Sequence, residues 1–154
     1  MRIRYSQPKL KAMPICQQVH DILYSIVPPK YRWGLLVKVL VYTNKDMAAS
    51  WRGNYRYGDY QGLYDDEWAM KQVDAVMTLK VGPECPHDKL VYLIAHETGH
   101  HIIRSQYQRG GEVKANKIAA KLISKYNKKG GKDVTGSLLT GLSTSSYQSN
   151  YNWL

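Results

Sequence analysis

Apolar side chains recur at helical spacing across residues 14–27. Ile15, Val19, Ile22, Leu23 and Ile26 fall on one face. Pro14 suits a first helical position, and Pro28-Pro29 stops the run. Residues 35–43, rich in Leu and Val, read as a strand, with a turn at Asn44-Lys45-Asp46. A second strand spans 73–81 and ends at Gly82-Pro83. Between them, 51–64 mixes Tyr, Gly and Arg and reads as a hairpin or a long loop with some strand character. A helix follows in which Leu90, Val91, Tyr92, Leu93, Ile94, Ala95, Ile102 and Ile103 cover most of the circumference, with Asp88 the favoured cap. A helix that is apolar nearly all round is a buried one.

A last helix, 111–126, is amphipathic, and the short link 105–110 predicts a compact helical hairpin. The basic stretch 127–133 is a glycine-containing break. Residues 134–154, rich in Ser, Thr, Gly and Asn, form either a docked short helix or a disordered tail. The pattern predicts an α+β fold with one domain over 1–133 and a C-terminal segment over 134–154. Its sheet is expected to have about three strands and to be mainly antiparallel.

The buried helix contains His96-Glu97-Thr98-Gly99-His100. At about 100° per residue, His96 and His100 lie about 40° apart and can grip one metal ion, whereas His101 lies about 140° from His96 and does not share it. Glu97 is placed to act as general base to a water beside that ion. Buried polar groups without partners cost roughly 1–3 kcal/mol each, and a metal ion supplies those partners.

Zinc requires a third protein ligand and an open position. One class of zinc peptidases completes the site with a histidine at what is position 106 here. That residue is Gln106, and no histidine follows His101. The third ligand is therefore a carboxylate, a cysteine or an earlier histidine. On the last helix, Lys114, Lys117, Lys121, Lys125 and Lys128 cluster on one side. Glu112 faces the other way, among Ala115, Asn116, Ala119, Leu122 and Ile123. A core-facing glutamate demands a cation or hydrogen-bond donors, which makes Glu112 the best candidate. Asn116, one turn on, is placed to accept the free N–H of a ligand histidine.

The residues HETGHH at 96–101, followed by EVKANKIAAKLI at 112–123, resemble the ImmA/IrrE family of metallopeptidases. The resemblance covers roughly residues 70–125. It implies a small zincin-like domain in which His96, His100 and Glu112 bind one zinc ion and Glu97 is the catalytic acid/base. It also implies a substrate class: helix-turn-helix transcriptional repressors of a mobile element, a prophage or a stress response. An extended substrate is expected to join the sheet edge near residues 75–81.

Composition changes the picture only at the margins. No apolar run is long enough for a membrane span and no h-region follows the basic N-terminus, so a cytoplasmic protein is expected. Cys16 and Cys85 do not make a disulfide framework. The pairs Cys16/His20 and Cys85/His87 read as structural. Tyr55, Tyr57, Tyr60 and Tyr64 read as strand packing, with a cleft-lining, oxyanion-stabilising tyrosine as the alternative. The net charge of +10 favours acidic partners or nucleic acid, although a solvated lysine-rich exterior is the simpler explanation. It motivates a competing, non-catalytic function: a basic module that binds DNA or a regulator around a structural zinc site.

Overall fold

The computed structural model describes residues 1–42, 52–57, 73–104, 111–130 and Val134. Four strands, β1 (Arg2–Tyr5), β2 (Leu35–Val41), β3 (Arg52–Tyr57) and β4 (Ala75–Val81), form one sheet in the order β1-β2-β4-β3. Among the described residues, three α-helices, α1 (Pro14–Ile26), α2 (His87–Ile103) and α3 (Gly111–Lys128), complete the α+β architecture. Two short 3-10 turns flank α1. Among the described residues, no helix is long and apolar enough to cross a membrane.

The sheet differs from expectation. Among the described residues it has four strands; β1 pairs with β2, and β2 with β4, in parallel, while β3 runs antiparallel against β4. The crossover through α1 is what makes β1 and β2 parallel. A strand, a helix and a second strand in the same sheet produce parallel neighbours, whereas antiparallel ones need only a tight turn. The N-terminal strand is short, and its alternation of Arg2 and Arg4 with Ile3 and Tyr5 carries the two faces of the sheet. Ile3 and Tyr5 pair with Val37 and Val39 and pack against the core.

Period-two alternation places the core on one face. Leu35, Val37 and Val39 of β2 and Ala75, Met77, Leu79 and Val81 of β4 are buried in one apolar cluster with α1 and α2. In register with Leu79 and Met77, Gly53 and Tyr55 of β3 take the same face. Helix α2 is covered by α1, by the sheet and by α3, which is why its apolar residues run around the whole circumference.

Helix α2 begins at His87 after Pro86, and no side chain caps it. Asp88 lies inside the first turn and not at the expected cap position. There its negative charge complements the positive end of the helix dipole. Helix α3 runs past the expected break to Lys128, and the reversal falls at Gly130 with φ of 82°. The turn at 44–46, the remainder of 51–64, the link 105–110 and the C-terminal segment beyond Val134 lie outside the described residues. Strand β4 is paired on both sides, so the edge expected at 75–81 is interior; the outer neighbour on that side is β3.

Candidate metal centre

Residues His96 and His100, one turn apart on α2, and Glu112 in the first turn of α3 converge on one point. The two Nε2 atoms are 3.2 Å apart. Glu112 places Oε2 at 3.1 Å from His96 Nε2 and Oε1 at 2.9 Å from His100 Nε2. Both histidines are buried; the Glu112 side chain keeps 21 % of its surface, so the cluster meets solvent on the α3 side. The three could hold a metal ion.

The protonation pattern favours a cation. His96 Nδ1–H donates to Asn116 Oδ1 at 2.7 Å, which leaves Nε2 as a lone pair facing the glutamate. Glu112 Oε2 is buried without a hydrogen-bond partner. An acceptor nitrogen 3.1 Å from an acceptor oxygen needs a shared positive charge. The separations of 2.9–3.2 Å are close to the about 3.3 Å kept by two ligands each about 2.0–2.1 Å from a tetrahedral ion. Burial works to raise the Glu112 pKa, but the adjacent His100 and His96 rings outweigh it and hold the carboxyl at about 2. It is thus ionised, as a ligand must be.

Close helix packing makes this convergence possible. A Cβ built on Gly99 would sit 2.4 Å from the carbonyl oxygen of Ala115. Gly99 and Ala115 let α2 and α3 approach within reach of a single ion, and Ala119 extends the small-residue seam. Asn116, 1 % exposed, sits on that seam and fixes the His96 ring from behind.

Glu97 is 2 % exposed and contributes no atom to the cluster. Burial raises its pKa, while His96 and His100 pull it back. Its carboxylate lies against β3. A Cβ on Gly53 would stand 2.6 Å from Glu97 Cγ and 2.8 Å from Oε1. Gly53 is therefore a determinant of the site that the helix motifs do not reveal. Its signal was a glycine inside a strand-like segment, which marks a close approach to the backbone.

The histidine set apart by helical spacing does take a different role. His101 Nε2–H donates to the Tyr31 carbonyl at 2.6 Å, and Nδ1 accepts from the Tyr55 hydroxyl at 2.9 Å. Burial lowers the His101 pKa, in keeping with a neutral ring fixed at both nitrogens. Tyr55 is buried and its ring runs nearly parallel to that of His100, 10° between planes. Its hydroxyl thus ties the strand that covers Glu97 to the helix that carries it.

The cysteine pairs stay outside the cluster. Cys16 is buried, whereas His20 is exposed beside Asp21. Burial pushes the Cys85 thiol up to about 12, and His87 Nε2 is hydrogen-bonded to the Tyr126 hydroxyl at 3.0 Å. Comparison with models of known families, with curated proteins and with solved structures returns no match. Function must therefore be argued from the geometry and from the two short motifs.

Proposed function

We propose that the chain is a zinc-dependent endopeptidase. The observation that carries this is Glu97. A purely structural metal needs its ligands and their supports, but not a further carboxylate buried beside them at the cost of desolvation. A non-catalytic module around a structural zinc leaves that burial unexplained. The donor set of two imidazoles and one carboxylate suits zinc with an open position. When bound, zinc makes a water nucleophilic near neutral pH and polarises the scissile carbonyl.

Glu97 takes the proton of the attacking water and hands it to the departing amine. The raised proton affinity that burial confers suits a group that must hold this proton between the two steps. Glu112 stays deprotonated at the cluster through its depressed pKa, and Asn116 Oδ1, accepting from His96 Nδ1–H, turns Nε2 of that ring toward the cluster. The strand beside Glu97 is β3, so an extended substrate is best received along β3 and not β4.

The similarity of HETGHH and EVKANKIAAKLI to the ImmA/IrrE motifs supports a helix-turn-helix repressor as the substrate class and an intracellular site of action. The test compares wild type with Glu97→Gln for zinc content and for cleavage of repressors recovered by substrate trapping. Both proteins are expected to carry one zinc ion, and hydrolysis should fall by about 10²–10⁴-fold in the variant. A variant that cleaves as fast as wild type removes Glu97 from the chemistry and overturns the peptidase assignment.

A further inference from the structure

The outward face of α3 carries charge that the metal centre does not use. Lys114, Lys117, Lys121, Lys125 and Lys128 are all exposed. At about 100° per residue they fall within an arc of about 80°, and at 1.5 Å per residue they span about 21 Å. Among the described residues, no carboxylate forms an ion pair with any of them. The only acidic residue of the helix, Glu112, is committed to the metal cluster.

Helix stability does not explain this stripe. Lysines three or four positions apart repel each other, and a merely soluble helix relieves that repulsion by interposing glutamates. Lys125 and Lys128, in the last turn, benefit from the helix dipole. Lys114, near the N-terminus, is opposed by it. What does complement a straight, one-signed row of about 21 Å is a regular polyanion; that length matches about six base-pair rises of duplex DNA.

We infer that the α3 lysine stripe is a docking surface for the phosphate backbone of duplex DNA. The stripe lies on the face of α3 opposite Glu112, so DNA held along it sits about one helix diameter, roughly 10 Å, from the metal cluster. A substrate already bound to that DNA is then presented to the site at a high local concentration. Binding through phosphates is indifferent to base sequence and strongly dependent on salt. The inference does not depend on the peptidase assignment, because the lysines and the cluster are separate groups.

The test is fluorescence anisotropy of a labelled mixed-sequence 20-bp duplex titrated with the full-length chain between 50 and 200 mM salt. Five phosphate contacts predict a slope of log K against log salt of about −4.5, or roughly 500-fold weaker binding across that range. Replacing Lys117, Lys121 and Lys125 with Gln should make the slope shallower by about 0.9 per lysine removed. Lys9→Gln with Lys11→Gln, also exposed but on the N-terminal 3-10 turn, should leave it unchanged. Circular dichroism verifies the fold of each variant, and Glu97→Gln should bind DNA as wild type does, whatever becomes of its hydrolytic activity. Equal binding by wild type and the α3 triple variant overturns the inference, as does binding to anionic vesicles or polyglutamate as tight as to the duplex.

Discussion

At the level of single residues, one proton determines whether His96 can serve as a ligand. Asn116 Oδ1 accepts from Nδ1, and this alone keeps the lone pair on Nε2 facing His100 and Glu112. In Asn116→Ala the proton is free to sit on either nitrogen and the ring loses its rear support. Zinc affinity is expected to fall by about 10–100-fold, measured by competition with a chromophoric chelator, with little change in fold. Asn116→Asp retains an acceptor and should keep most of the affinity. An unchanged affinity in Asn116→Ala would show that packing alone orients His96. His96, His100, Glu112 and Asn116 were legible in the sequence because each pair lies within a helix, where spacing fixes direction. Gly53 and the Tyr55–His101 bond were not. They depend on which strand crosses over α2, a long-range fact that no local spacing encodes.

At the level of elements, the site depends on how closely α2 and α3 cross. Gly99 faces the Ala115 carbonyl at a distance no side chain tolerates, and the backbone there cannot swing away as a flexible side chain would. Gly99→Ala forces the helices apart just where two ligands on α2 must meet one on α3. The expected cost is about 1–3 kcal/mol of stability, the range for overpacking a tight contact. For a chain of this size that is roughly 2–12 °C in Tm. Zinc binding should weaken in parallel, read by isothermal titration on the folded variant. A variant that melts earlier but binds zinc normally would mean that the ligands tolerate helix separation. The amphipathic and all-round apolar patterns identified all three helices. They could not give the sheet its direction, because a strand reads the same in parallel and antiparallel pairing. The decisive evidence was the crossover through α1 from a strand of four residues, too short to stand out by periodicity.

For the molecule as a whole, the metal cluster should contribute to folding as well as to chemistry. Its ligands come from two helices, and α2 is the element around which the sheet, α1 and α3 assemble. Without an ion, Glu112 Oε2 is buried with no hydrogen-bond partner, 3.1 Å from His96 Nε2, so the fold carries an unsatisfied acceptor at the cluster. An ion that binds only the folded chain stabilises it by mass action, about 4 kcal/mol when free zinc exceeds its Kd by 1,000-fold. At this chain length that corresponds to a rise of roughly 8–16 °C in Tm. Differential scanning fluorimetry of EDTA-treated and zinc-loaded protein measures the shift directly. Glu97→Gln, which keeps all three ligands, should show nearly the full rise, whereas Glu112→Ala should lose most of it. This pairing separates the two carboxylates of the site by a quantity that needs no substrate: in the proposed mechanism one holds the ion and so couples to folding, the other acts on protons and does not. Equal shifts in Glu112→Ala and wild type would remove Glu112 from the ligand set and return the third position to an unidentified group.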